Sequence, residues 1–113
     1  MKGHHELTVW QRSIDYATKI YRITEGFPKD ELYALTSQMR RCAVSVPSNI
    51  AEGAARNSKR EFKQFLSIAQ GSVAELETQI IIAGKLGYMI ETNGLIEELD
   101  EISRMIIGLS RKL

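Results

Sequence analysis

The sequence contains little cysteine and histidine, the residues on which disulfides, many metal sites and many nucleophilic active sites depend. One cysteine, Cys42, excludes an internal disulfide and predicts a reducing, cytoplasmic environment. The only two histidines are the adjacent His4 and His5, so the Glu-x-x-His pairs of a di-iron bundle are missing and a metal site is not expected. No glycine spacing fits a phosphate-binding loop. We therefore predict no enzyme activity, no catalytic residue and no cofactor.

Long apolar runs and an excess of one charge are also missing. No run approaches the ~18 apolar residues of a membrane span, and the start of the chain has no apolar segment of signal-peptide length. Fifteen basic residues against fourteen acidic ones leave a net charge of +1, which provides no overall field for nucleic acid or membrane. We predict a soluble cytoplasmic protein without a membrane partner, in which any nucleic-acid binding uses a local patch.

What the sequence does contain is helical periodicity. Two prolines in 113 residues favour long helices, and apolar residues recur at steps of three and four in four segments. Ser58 with Glu61 is typical of a helix N-terminus, and Gly87 of a C-terminus. We predict a single all-α domain over 1–113, an up-down-up-down antiparallel four-helix bundle. Its helices are expected at about 7–25, 30–56, 59–86 and 92–112.

The second predicted helix contains Pro47, which removes a hydrogen bond to the Ala43 carbonyl and predicts a kink. Small or polar residues surround it and form a structural motif: Ser45, Pro47, Asn49, Glu52 and Gly53. We interpret Ser45 and Asn49 as compensating the kink and tying the helix to a neighbour, with Gly53 allowing close packing. The alternative is a ligand pocket formed by Ser45, Asn49 and Glu52.

Two further features belong to the packing of the second and third helices. Gly71-Ser72 is expected to permit close approach of another backbone near the kink. Cys42 lies on the apolar face of the second helix and has no histidine partner, so we interpret it as a small buried hydrophobe rather than a nucleophile.

Six basic residues on the second and third helices are candidate nucleic-acid contacts: Arg40, Arg41, Arg56, Lys59, Arg60 and Lys63. The last four cluster at one hairpin end beside helix N-terminal amides, which favour anions. Arg40 and Arg41 lie some 22 Å further along an ideal helix, so one continuous patch in a monomer is not expected. By contrast, residues 91–113 carry five acids and three bases. The alternative is a solvated helical face.

Surplus apolar residues predict assembly. Ile80, Ile81 and Ile82 widen the apolar band of the third helix, and Ile96 and Ile107 lie outside the regular seam of the fourth. Since so small a bundle cannot bury all of these, we predict a second contact surface between subunits.

Several stretches resemble a bacterial family of small four-helix-bundle proteins encoded in intervening sequences of 23S rRNA genes. This family is related to the accessory variability determinant of diversity-generating retroelements. The resemblance lies in these segments, which span nearly the whole chain in order: VW (9–10), FPKDELYALTSQMRR (27–41), SVPSNIAEG (45–53), EFKQFLSIAQGS (61–72), ELETQ (75–79) and LGY (86–88). It implies a homopentamer and, for the retroelement relatives, association with a reverse transcriptase and with nucleic acid. It implies no catalytic residue.

Together these points predict a non-enzymatic homo-oligomeric adaptor, a pentamer by resemblance. Such an adaptor is expected to bind RNA, DNA or a nucleic-acid enzyme through a basic surface. The alternative is a protein–protein assembly scaffold with no role in nucleic-acid binding.

Overall fold

The computed structural model describes residues 3–113 and contains four α-helices in that range. They are α1 (Thr8–Thr24), α2 (Leu35–Ala54), α3 (Lys59–Lys85) and α4 (Asn93–Arg111). Short 3₁₀ turns lie at Gly3–Glu6 and Lys29–Glu31. The predicted all-α, four-helix-bundle fold is therefore confirmed. The up-down order of the helices and a kink at Pro47 stay predictions.

Each helix packs against two others around one core. α1 contacts α2, α2 contacts α3, α3 contacts α4, and α4 returns to α1. α2 and α3 make the most extensive contact, and α1 and α4 the least extensive of the four. The largest fully buried side chains come from every helix: Ile20, Met39, Ile50, Leu66, Leu76, Ile80, Leu99, Ile102 and Ile106. Their spacing at three and four residues is what brings them to one side of each helix.

The two ends of α3 follow the local signals in the sequence. The Ser58 hydroxyl oxygen accepts a hydrogen bond from the Glu61 amide at 3.1 Å, which satisfies one free N–H of the first turn. At the other end Gly87 has φ of +81°, and the Tyr88 and Gly87 amides donate to the carbonyls of Ala83 and Gly84. This is a Schellman motif, which requires the left-handed conformation that glycine adopts without strain.

α2 begins at Leu35, five residues later than the predicted start at 30. Asp30 and Glu31, which suit a first helical turn, lie instead in the 3₁₀ turn. The Glu31 carboxylate accepts hydrogen bonds from the Leu35 amide at 3.3 Å and from the Tyr88 hydroxyl at 2.8 Å. The bond to this carboxylate raises the pKa of Tyr88, because ionised tyrosine could not donate it. Glu31 thus connects the start of α2 to the α3–α4 loop.

The side chains around Pro47 point to different neighbours. The Ser45 and Ser72 hydroxyl oxygens are 2.8 Å apart, so Ser45 ties α2 to α3 as predicted. The Asn49 amide donates to the Ser45 carbonyl at 2.8 Å, and not to the Ala43 carbonyl that Pro47 frees. Of the polar residues of the motif, Ser45 therefore joins α2 to α3, while Asn49 bonds within α2.

Two glycines have opposite roles in that contact. A Cβ on Gly53 would lie 2.8 Å from the Phe65 Cβ and 2.9 Å from the Phe62 Cδ1, so α3 approaches α2 closely here, as predicted. A Cβ on Gly71 would meet nothing within 4 Å. Of the Gly71-Ser72 pair that was expected to meet another helix near the kink, Gly71 faces outward, whereas Ser72 is buried and bonds to Ser45 of α2, two residues from Pro47.

Candidate nucleic-acid interface

Arg40 is engaged inside the protein. Its Nε donates to the Thr24 hydroxyl at 2.9 Å and one terminal nitrogen donates to the Tyr21 carbonyl at 3.3 Å. Its guanidinium also lies over the Tyr21 ring, 4.7 Å from the centroid. A cation at a helix C-terminus stabilises the last carbonyls, so Arg40 joins α2 to the end of α1. Arg41, next to it, is exposed.

Arg56 also has interaction partners within the protein. A terminal nitrogen lies 2.8 Å from Glu52 Oε2 and the other 3.7 Å from Glu61 Oε2. The guanidinium stacks over Phe65 at 4.8 Å. With two carboxylates beside it, Arg56 adds little positive potential, and its contacts hold the α2–α3 hairpin together.

The remaining bases at this end form a cluster that includes a residue missed in the sequence. Lys59, Arg60 and Lys63 are exposed on the first turns of α3, and Arg111 is exposed at the end of α4. Among the described residues none of these four has an acidic partner within 4 Å. We call Lys59, Arg60, Lys63 and Arg111 the basic end.

Two adjoining cavities open at the basic end. One of about 530 Å³ is lined by Lys59, Arg60 and Lys63 together with uncharged residues. The second, of about 360 Å³, lies between α3 and α4 and is lined by Lys63, Leu66, Ser67, Gln70, Ile106, Ile107, Ser110 and Arg111. We call this second one the α3/α4 cavity. The two share Lys63 and Ser67, and within residues 3–113 no acidic side chain is part of either lining, so the side chains of the combined site favour anions.

A groove beside Pro47 differs from the pocket considered above. It has a volume of about 480 Å³ between α1 and α2 and is lined by Trp10, Ile14, Ala17, Thr18, Tyr21, Val44, Pro47, Ser48 and Ala51. We call it the α1/α2 groove. Ser45, Asn49 and Glu52 do not line it: Ser45 bonds to Ser72 of α3, Asn49 bonds to Ser45, and the exposed Glu52 pairs with Arg56. The groove beside Pro47 therefore differs from the polar pocket that was the alternative interpretation, and its lining is largely apolar.

Cys42 has the surroundings of a packing residue. It is half-buried, and the Gln79 side-chain amide donates to its sulfur at 3.5 Å. Burial is the main reason that the pKa of the Cys42 thiol is raised, so the reactive thiolate is disfavoured. This agrees with its interpretation as a small hydrophobe.

In residues 3–113, no group of three or more histidine, cysteine, aspartate or glutamate side chains is arranged to hold a metal ion. In the same range, no helix has the length and apolar character needed to cross a membrane.

These features define a small all-α protein of the four-helix-bundle class, with a basic end formed by α3 and α4. The family described as 23S rRNA-intervening sequence protein matches residues 5–108. The chain belongs to this family. Among curated proteins, no sequence matches it.

Proposed function

We propose that this protein is a non-enzymatic, cytoplasmic homo-oligomeric adaptor that binds the phosphate backbone of RNA or DNA through its basic end. The observation that carries the proposal is the convergence of Lys59, Arg60, Lys63 and Arg111 around two cavities whose linings, in the described part of the chain, contain no acidic side chain. The α3 N-terminal amides add partial positive charge at the same end. Arg40 and Arg56 are excluded from the interface, because their guanidinium groups already have partners.

Assembly is the second part of the proposal. The α1/α2 groove exposes apolar side chains, with Ile14 36%, Tyr21 44% and Val44 41% exposed. Contiguous exposed apolar surface on a soluble protein usually marks an interaction site. We propose that copies of the chain cover this groove in a homo-oligomer. A pentamer, and a reverse transcriptase as further partner, are proposed from the resemblance to the retroelement relatives.

The test of nucleic-acid binding compares two triple variants with the same change in net charge. The first replaces Lys59, Arg60 and Lys63 by Gln. The second replaces Arg22, Lys29 and Lys85, which are also exposed but belong to other elements or to the far end of α3. Fluorescence anisotropy with a labelled RNA measures affinity as a function of salt. We expect the first variant alone to lose affinity, and its log–log salt slope to fall by about 2, at roughly 0.7 per single-strand phosphate contact.

Equal affinity loss in both variants would mean that only net charge matters, and would contradict a specific basic end. If the wild type binds no nucleic acid yet forms a defined oligomer, the alternative of a protein–protein assembly scaffold takes its place. That alternative is favoured by one observation, the exposed apolar lining of the α1/α2 groove.

A further inference from the structure

The surface between α3 and α4 changes sign along its length. At the basic end, Lys63 and Arg111 lie on opposite helices and line the same α3/α4 cavity. Further along, a smaller cavity of about 250 Å³ is lined by Glu77 and Asp100 and, among the residues that the structure describes, by no basic side chain. Gln70 and Ser103, which exchange hydrogen bonds of 3.0 and 3.2 Å between the two helices, separate the two halves.

We propose that the basic half of this surface binds a short single-stranded segment of nucleic acid. Lys63 and Arg111 contact its phosphates from either side, and the Ser67 and Ser110 hydroxyls are within the same cavity as further donors. This inference rests on the proposed function and narrows its partner, since a protein could bind phosphates at the basic end without distinguishing single strands from duplexes.

The shape of the site favours a single strand. The cavity is a depression between two packed helices, whose axes typically lie about 8–10 Å apart. The major groove of a duplex is about 12 Å across and the whole duplex is wider still, so a duplex can contact only the rim of the cavity. One strand can enter the depression, where Lys63 and Arg111 both reach its backbone.

The apolar part of the cavity also favours a single strand. Leu66 and Ile106 form its buried surface, and Ile107 at its edge is 40% exposed. Of these side chains Ile107 is the exposed one, and a sugar or an unpaired base face can pack on it. In a duplex the base faces are stacked on one another and are not free to make such a contact, whereas those of an unpaired strand are.

The acidic half sets the length of the bound segment. Phosphates moving past Gln70 would meet the Glu77 carboxylate, whose like charge repels them, and Asp100, whose charge Arg104 offsets in part at 3.9 Å. From Lys59 to Gln70 an ideal helix rises about 16 Å, which limits the contact to a few nucleotides in each subunit.

The experiment uses the full-length protein and three labelled probes: an oligouridine RNA and an oligothymidine DNA, each of about ten nucleotides, and an RNA duplex of the same length. Binding is measured by fluorescence anisotropy at fixed salt. We expect both single strands to bind at least about tenfold more tightly than the duplex. We expect Arg111→Gln to weaken single-strand binding about tenfold, the loss typical of one charge-assisted hydrogen bond, with little effect on the duplex.

Arg22→Gln is the charge-matched control, because Arg22 is exposed on α1 and lines neither cavity of the basic end. It should leave all three affinities unchanged. Ile107→Glu should weaken single-strand binding by placing a negative charge at the edge of the cavity. Duplex binding as tight as single-strand binding, or no effect of Arg111→Gln, would overturn this inference while leaving phosphate binding by Lys59 and Arg60 intact. Failure of every probe to bind would overturn the proposed function itself.

Discussion

At the scale of single residues, the closest approach between two helices falls on Gly53. The Cβ of an alanine here would lie 2.8 and 2.9 Å from carbons of Phe65 and Phe62, and 3.3 Å from the Phe62 carbonyl oxygen. Because part of this contact is backbone and Cβ, α3 itself has to move. We expect Gly53→Ala to lower the free energy of unfolding by about 1–3 kcal/mol, as overpacking does. Urea denaturation followed by circular dichroism measures it.

Gly71 supplies the control for that substitution. It is also inside a helix, but a Cβ there meets nothing within 4 Å. Gly71→Ala should raise the free energy of unfolding by roughly 0.5–1 kcal/mol, because alanine loses less backbone entropy than glycine in a helix. If Gly53→Ala also raised the free energy of unfolding, the close approach of α3 would not be the reason for a glycine at position 53.

Tyr16 is a second residue whose role follows from burial. It is 2% exposed, and its hydroxyl donates to the Leu95 carbonyl at 2.8 Å, which joins α1 to α4. Burial, with the nearby Glu98 carboxylate as the smaller cause, raises the pKa of Tyr16 well above its usual value. Tyr16→Phe should therefore cost about 1 kcal/mol at neutral pH, the typical net value of one hydrogen bond.

The raised pKa also predicts how stability depends on pH. Above about pH 10 the unfolded chain releases the Tyr16 proton while the folded chain keeps it, so folding becomes less favourable as pH rises. Tyr16→Phe removes this loss, and its stability should fall less steeply than that of the wild type above about pH 10. Tyr33→Phe, which alters a side chain that is 92% exposed, should follow the wild-type curve. Parallel curves for all three proteins would contradict the prediction.

At the scale of elements, Arg40 links two helices rather than binding a ligand. Its bonds to Thr24 and to the Tyr21 carbonyl are made at the end of α1, where free carbonyls need donors. We expect Arg40→Gln to lower the free energy of unfolding by about 1 kcal/mol. We also expect it to leave the affinity for RNA unchanged.

Arg41→Gln is the comparison, since Arg41 is the exposed neighbour with the same charge. Its effect on stability should stay within about 0.5 kcal/mol, as for most surface substitutions. Equal destabilisation by the two variants in urea denaturation would show that the contacts of Arg40 contribute nothing of their own.

The helices themselves could be predicted because their signals are local. Ser58, Glu61 and Gly87 act within a few residues of the ends they define, and the structure confirms all three. The start of α2 could not be predicted in the same way. Glu31 suits a first helical turn by its type, but its carboxylate is held by Tyr88, 57 residues further along the chain. The outward position of Gly71 could not be predicted for a related reason. The type of a residue does not show which neighbour the face of its helix will contact.

At the scale of the whole molecule, the basic end could not be found by counting charges along one segment of the sequence. The segment 91–113 has more acids than bases, yet Arg111 lies beside Lys63 once α4 packs on α3. Two of the four acids of α4 pair with bases of α1: Glu98 with Lys19 and Glu101 with Arg12. For Arg56 the sequence misleads in the opposite direction. It places Arg56 in the basic cluster, but the carboxylates of Glu52 and Glu61 offset its positive charge. Folding, not composition, decides which charges stay unpaired.

The last prediction concerns assembly through the α1/α2 groove. Trp10 is the only tryptophan and lines this groove, so its fluorescence reports whether the groove is covered. If copies of the chain cover it, light scattering should give a multiple of the 12.8 kDa chain mass. Dilution that dissociates the oligomer should shift the Trp10 emission to longer wavelength as water reaches the ring.

Val44→Glu should reduce the mass to that of the monomer without unfolding it. Val44 is already 41% exposed, so a carboxylate there stays hydrated in the single chain but would be buried without a partner in the assembly. Ile90→Glu is the matched control, because Ile90 is fully exposed in the α3–α4 connection and does not line the groove. A monomeric wild type would contradict assembly altogether. An oligomer that tolerates Val44→Glu but is broken by Ile90→Glu would place the subunit contact at the α3–α4 connection instead.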